Sequence, residues 1–468
     1  MKTKYTSLFI TAILTASILP VSATFPIATN TGDTSISFAS DGTNYLVGIQ
    51  GDYVTNNSYE ITAQLISSTG TLIGSRINPV PGHTGGNPAI ACSGTNYLMV
   101  WPDDYLGGDE SSVSAQLIGP SGGLVGGMIA VTANSEQKRP VAAYGGGKYL
   151  VLWEDYSSGT AAIYGQLVSP SGALAGAQMV IYSDINNSQR TPAAAFGQTN
   201  FCVVWEKRRN SNPEQWDTYG IFISPAGVTG APFAISQTVS ARYNPPGVVF
   251  NGTNYLVVWN RDTSPGGTNT AVWNICGRFV TPSGTFPGNE VNIVTNGNPV
   301  YPLPAFDGGN YLLTWNQGAG TTNSSAYFQF LDATGRPIGS QFTPFSALGS
   351  EVPLFAPLLF DGKQFVAICT LSAGGFAPTP TNNACVYGAF IPASTALPQF
   401  GGGASYGNKQ FSLSLTGTPG INYAIQMTTN LASPNWISLT TNSSTNGTFS
   451  FADTSATNAS RFYRAVKQ

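Results

Sequence analysis

The chain has 468 residues, of which only 9% are charged, and its 19 basic and 22 acidic side chains give a formal charge of -3. So thin and balanced a charge excludes the basic field on which nucleic-acid affinity rests. Its 54 glycines, with many Asn, Thr and Ser, exclude a mainly helical chain and predict many short strands joined by turns.

In chain order, Lys2 and Lys4, the apolar run from Leu8 to Leu19 and the small residues Val21-Ser22-Ala23 read as an export signal over residues 1–23, with a mature start at Thr24. The run is too short for a membrane span of about 20 residues. The expectation is a monomer secreted without an anchor: extracellular, periplasmic or at the cell surface. Then come copies of one motif, best seen as Gly252-Thr253-Asn254-Tyr255-Leu256-Val257-Val258-Trp259. Their aromatic anchors are Tyr45, Tyr97, Tyr149, Phe201, Tyr255, Tyr311 and Phe365, separated by 52, 52, 52, 54, 56 and 54 residues. A period this regular predicts a repeat architecture, overriding the length-based prior of about three domains.

Within one period four strands are predicted. The third copy reads Ala142 to Tyr144, Tyr149 to Trp153, Ile163 to Val168 and Met179 to Tyr182, with a turn at Pro170-Ser171-Gly172 between the last two. The second strand is apolar without alternation, so it must be covered on both faces. Seven such units predict an all-β, seven-bladed β-propeller over residues 24–397. Phe25-Pro26-Ile27-Ala28 aligns with fourth strands elsewhere, and the last repeat lacks one, so residues 25–28 are expected to close the ring as the outer strand of the seventh blade. Residues 398–405 read as a Gly-rich linker. Residues 406–468 read as a small C-terminal β-sandwich module with strands near 410–416, 422–427, 436–441, 448–451 and 461–466.

The Gly-Thr-Asn-Tyr-Leu-Val-Val-Trp units with their Ser-Pro-Ser-Gly turns resemble the repeats of uncharacterised secreted β-propeller proteins of environmental bacteria. The tail, with Asn422 to Gln426, Thr429-Asn430-Leu431, Trp436 and Arg461-Phe462-Tyr463-Arg464, resembles a small C-terminal β-module of other exported proteins of such bacteria. The resemblance implies export and fold, and it carries no catalytic motif.

Loops joining strands two and three, and those joining one blade to the next, fall on one face of the expected ring. In a chain so poor in charge, that face collects Asp103, Asp104, Glu154, Asp155, Glu206 and Asp262 with Arg139, Arg190 and Arg242. Either these acids and bases pair to order the loops, or they form a recognition patch for hydroxyls or carboxylates of an extracellular glycan, with Tyr105, Tyr156, Tyr243 or Tyr301 as stacking surfaces. The main expectation is an exported binding or scaffolding protein whose partner is a glycan or a protein. The alternative is a polysaccharide-degrading enzyme, a lyase or glycoside hydrolase, drawing on His83, Glu154, Asp155 or Glu206. No Asp-x-Asp-x-Asp-Gly loop occurs and His83 is the sole histidine, so neither metal nor cofactor is expected. The recurrent Trp101, Trp153, Trp205, Trp259 and Trp315 are expected in the core, with Trp216 the better candidate for stacking on a sugar. Cys369 and Cys385 are expected to face one another and to form a disulfide.

Overall fold

The computed structural model describes residues 24–29, 32–55, 58–81, 84–103, 112–132, 136–211, 214–237, 245–263, 272–317, 325–345, 352–372, 384–393, 399–400, 405–407, 410–416, 423–430, 435–442, 448–454 and 461–467. Every regular element among them is a β-strand, and no helix is long and apolar enough to cross a membrane. Contacts divide the chain into a larger unit, chiefly residues 21–306 and 311–392, and a smaller one dominated by residues 393–468.

The larger unit is a succession of antiparallel meanders. Gln137–Gly145, Lys148–Asp155, Ala162–Val168 and Leu174–Tyr182 form one four-stranded sheet in that order. The next three sheets run through 189–234, 247–294 and 299–342 in the same way. In the third repeat, Tyr149 to Trp153 are wholly buried while Leu174 and Val180 are exposed. The two-sided apolar strand therefore sits inside the sheet, and the outermost strand faces water. The first two repeats differ: the short strand Thr84–Gly85 pairs with Tyr59 and Glu60 on one side and Asp103 on the other, joining both meanders into nine strands.

In the last repeat, Val352–Phe355 and Leu358–Phe360 both pair with Gln364–Ser372, which pairs with Ala384–Pro392. The free edge of Ala384–Pro392 takes Phe25–Ala28, with Phe25 opposite Gly388. Phe25 stacks on Phe390 at 4.8 Å. Glycine is required on both sides of that ring, because a Cβ on Gly388 would lie 2.2 Å, and one on Gly70 2.7 Å, from its carbon atoms.

Successive repeats pack by shared chemistry. Trp101, Trp153, Trp205, Trp259 and Trp315 are all buried, and each lies among apolar residues of the preceding repeat, as Trp153 does with Leu98 and Val100. The anchor tyrosines reach back to the preceding turn: Tyr97 Oη donates to Asn44 O at 3.0 Å, Tyr149 Oη to Asn96 O at 2.6 Å and Tyr255 Oη to Asn200 O at 2.8 Å. In the first repeat the donor is Tyr45 and the acceptor is the Asp361 carboxylate of the last. The first strands of consecutive repeats touch in sequence, and Thr34–Ser40 of the first touches Gln364–Ser372 of the last.

The sheets' outer edges share another device. Gln64, Gln116, Gln166 and Gln329 each donate from Nε2 to carbonyls of the fourth strand, where the register is broken beside Gly74, Gly126, Gly176 and Gly339, all at positive φ. In the fifth repeat Arg278 takes that place opposite Val257 and donates to Gly288 O and Ile235 O.

The expected disulfide does not form. Cys369 lies opposite Tyr387 and Cys385 opposite Leu371, so the register offsets the two sulfurs by a residue pair, and no bond joins them. Trp216 is also not a surface aromatic: it is 1% exposed.

The smaller unit has two sheets. One pairs Gln410–Thr416 with Thr448–Asp453, Gln399–Phe400 and Ser405–Gly407, and the other has Tyr423–Thr428 between Ile437–Asn442 and Phe462–Lys467. Phe411, Leu415, Ile425, Met427, Phe451 and Tyr463 form its core. Within it the Asp453 carboxylate accepts from Tyr463 Oη at 2.8 Å and from the buried Arg461.

Candidate functional site

Ten residues before an anchor, on the first strand or just ahead of it, stands a residue followed by proline: Asn87-Pro88, Arg139-Pro140, Thr191-Pro192 and Tyr301-Pro302. All four leading residues have positive φ, at 44°, 52°, 53° and 57° respectively. For side chains other than glycine this backbone is uncommon and costs roughly 1 kcal/mol or more. The pairing register breaks at three of them, between Lys138 and Val141, Arg190 and Ala193, and Val300 and Leu303. Each break is a β-bulge, a device that re-aims a side chain.

Five residues after the anchor, every repeat but the second, which has Pro102, carries a buried polar residue. Gln50 Oε1 accepts from Asn87 N at 2.8 Å, and Glu154 Oε1 from Thr191 N at 2.7 Å, in each case across to the next repeat. Asn260 Nδ2 donates to Pro299 O at 2.5 Å. At Glu206 the residue ten before the next anchor is Pro245, which has no N–H to offer. Its carboxylate instead accepts from Thr191 Oγ1 at 2.9 Å. Thr191 thus ties two buried carboxylates together, Glu154 through its amide and Glu206 through its hydroxyl.

Charged and aromatic groups surround this pair. Arg139 Nη1 lies 3.3 Å from Glu154 Oε1, with its own side chain half exposed while that of Glu154 is wholly buried. Tyr156 Oη donates to Glu154 Oε2 at 2.6 Å. Lys138 and Arg190 lie over the Tyr156 ring at 5.5 and 5.9 Å, and Arg190 also faces the Trp216 ring at 5.8 Å. Burial raises the Tyr301 phenol; the charge of Arg139 opposes the rise and that of Glu206 adds to it. That coupling brings the sixth repeat into the electrostatic neighbourhood of the third and fourth. Burial works against the Arg139 guanidinium, but Glu154, Tyr156 and Glu206 outweigh it and raise its pKa, so the group stays cationic. The Tyr156 phenol is raised by burial first, then by Glu154, and stays neutral. Fixed acceptors beneath, a cation at the surface and neutral phenols are the groups that bind hydroxyls and acidic oxygens.

The other sequence-derived candidates scatter. Asp103 and Asp155 are buried but serve the backbone fold: Ser114 Oγ donates to Asp103 at 2.9 Å, and Gln137 Nε2 and Ser157 N donate to Asp155 at 3.2 and 3.0 Å. Asp262 ends the strand Tyr255–Asp262 opposite Trp273 and is partly exposed. Asp104, Arg242, His83, Tyr105 and Tyr243 lie outside the described residues. Arg139 and Arg190, expected in loops between repeats, lie on first strands together with Lys138, because the bulges extend those strands past the loop boundary. Thr191 was not singled out from the sequence; the recurrent proline nine residues before the anchor is the signal that marks it.

No protein-family model matches the chain, and no curated protein sequence matches it. Among solved structures, the β-propeller domain of the trilobed protease of Pyrococcus furiosus, described as having an open velcro topology, is similar at TM-score 0.43 and 11% identity, over 74% of this chain and 93% of that one. The α-L-arabinanase of Penicillium chrysogenum, complexed with arabinobiose, is similar at TM-score 0.42 and 11% identity, over 67% and 94%. An acylaminoacyl peptidase is similar at TM-score 0.39 and 12% identity, over 71% of this chain and 49% of the peptidase, so the chain spans about half the length of that enzyme. These are similarities of all-β architecture and say nothing of substrate.

Proposed function

We propose that the protein is an exported, glycan-binding β-propeller that holds saccharide at the centre formed by Arg139, Glu154, Tyr156, Thr191, Glu206 and Tyr301. The larger unit is, on this reading, a seven-bladed ring over residues 24–397 with Phe25–Ala28 as the outer strand of its last blade. The contact of Thr34–Ser40 with Gln364–Ser372 and the Tyr45 to Asp361 bond support that reading. Residues 1–23 are its export signal, and residues 406–468 belong to a separate module; the linker expected at 398–405 contributes Gln399, Phe400 and Ser405 to one of that module's sheets.

The observation that carries the functional reading is the row of strained bulges. Arg139, Thr191 and Tyr301 hold positive φ at equivalent places in three repeats; the charges of Arg139 and Glu206 both act on the Tyr301 phenol, and Thr191 is hydrogen-bonded to Glu154 and Glu206. Strain repeated at one rim is a mark of a built site. A second reading, hydrolysis of the bound glycan, is favoured by the two buried carboxylates linked through Thr191, since paired carboxyl groups perform glycoside cleavage. On that reading Glu206, which is tied to Glu154 through Thr191, is the proton-transfer group.

A polysaccharide panel scored for retention and then for new reducing ends separates the two. Retention without turnover, weakened by Arg139→Gln, is the result expected for binding. Turnover abolished by Glu206→Gln establishes the enzyme instead. If no glycan is retained or cut, the saccharide reading fails and a protein partner takes its place.

A further inference from the structure

Three of the ion pairs among the described residues of the larger unit share an asymmetry. Arg139 is 50% exposed over a Glu154 that is 0% exposed, Arg209 43% over an Asp217 at 10%, and Arg76 29% over an Asp33 at 3%. Lys207 with Asp184 is the balanced exception, at 19% and 22%. In the third and fourth repeats Glu154, Asp155, Glu206 and Asp217 are all buried, while Lys138, Arg139 and Arg209 are exposed; Glu136 is the exposed acid beside them. The chain carries a net charge of -3, yet the layer that meets a ligand at this rim is cationic and the acids lie beneath it.

A buried carboxylate that already accepts internal hydrogens acts on a ligand only through its field. A half-exposed guanidinium, by contrast, still offers N–H groups in a planar fork that fits acidic oxygens. Arg139 donates to Glu154 from Nη1 while its side chain stays half exposed. Lys138 and Arg190 both lie over the Tyr156 ring, so anionic groups carried on a pyranose or furanose chain meet a cluster of cations at one aromatic ring. Resting on the glycan reading above, we propose that the saccharide taken here is acidic, a polymer bearing carboxylate or sulfate groups, bound across Lys138, Arg139 and Arg190.

Affinity electrophoresis of the full chain against polygalacturonate, dextran sulfate and neutral linear arabinan, at about 50 mM and about 300 mM salt, tests this. The expected result is retention on at least one acidic polymer about tenfold stronger than on arabinan, weakening as salt rises. Preference between the two acidic polymers identifies the anion as carboxylate or sulfate. Lys138→Gln with Arg139→Gln should lower acidic retention by about tenfold without changing the melting temperature by more than a few degrees. The salt series on the unmodified protein stands even if that variant folds poorly. Equal retention on arabinan and the acidic polymers at both salts overturns the acidic class and leaves the glycan reading intact. Absence of retention on every polymer overturns both.

Discussion

Tyr45 and Tyr97 occupy the same place in successive repeats, yet their hydroxyls meet different acceptors. Tyr97 donates to a backbone carbonyl and Tyr45 to the carboxylate of Asp361. A hydrogen bond to a neutral partner contributes about 0.5–1.5 kcal/mol net, and one to a charged partner about 1.5–3 kcal/mol. Tyr45→Phe is therefore expected to cost more than Tyr97→Phe in denaturant unfolding, by about 1 kcal/mol. Phe201 and Phe365 show that the ring alone can fill the position, since both are fully buried. Equal losses in the two variants would show that Asp361 is satisfied without the phenol. The same residue-level view explains why Glu154 and Glu206 were legible as candidates but not as different ones. Their shared position is visible in the repeat, whereas their separation in role depends on Thr191 and Pro245 in neighbouring strands.

At the scale of elements, the second strands were the most legible. Their apolar runs, from Tyr255 to Trp259 for instance, bury both faces, and burial of that kind is local enough to be written in composition. The outer strands were read shorter than they are: the strand expected from Met179 to Tyr182 runs as Leu174–Tyr182. Its missing half is exposed and carries Gly176 at positive φ, held by Gln166 from the next strand, a tertiary cause that periodicity does not record. The bulges of the first strands escaped for the same reason, since positive φ at Arg139 or Thr191 has no glycine to announce it. The pairing of Phe25–Ala28 with Ala384–Pro392 rests on a fit that one methyl group destroys. Gly388→Ala is expected to cost about 1–3 kcal/mol by overpacking against Phe25, read as a lower melting temperature and faster proteolysis near residue 25. In a Phe25→Ala background most of that cost should vanish. An undiminished cost there would place the strain elsewhere in the sheet.

Across the whole larger unit, the reach of each anchor phenol into the preceding turn makes stability depend on alkaline pH. Burial raises the phenols of Tyr45, Tyr97, Tyr255 and Tyr311, and pushes that of Tyr149 up to about 12. In the unfolded chain these groups ionise near the ordinary value of about 10. Their contribution is complete below that value and is lost as pH rises toward the higher folded values, because the unfolded state then releases protons that the folded state retains. The melting temperature should stay level between about pH 7 and 9 and fall steeply above about 10. A decline already under way near pH 8 would exclude the phenols as its cause.

The sheet shared by Phe25–Ala28 and Ala384–Pro392 also fixes an order of events in synthesis. The segment that emerges first must wait for a partner made more than three hundred and fifty residues later. At about 5–20 residues per second, tens of seconds pass with Phe25 unpaired and the edge of Ala384–Pro392 not yet made. During that interval every earlier meander can already have formed from its own neighbours, and the nascent chain is an open strip with one uncovered face. The pairing of Phe25–Ala28 is therefore complete only once its partner strand has been made, whichever repeats have folded before it.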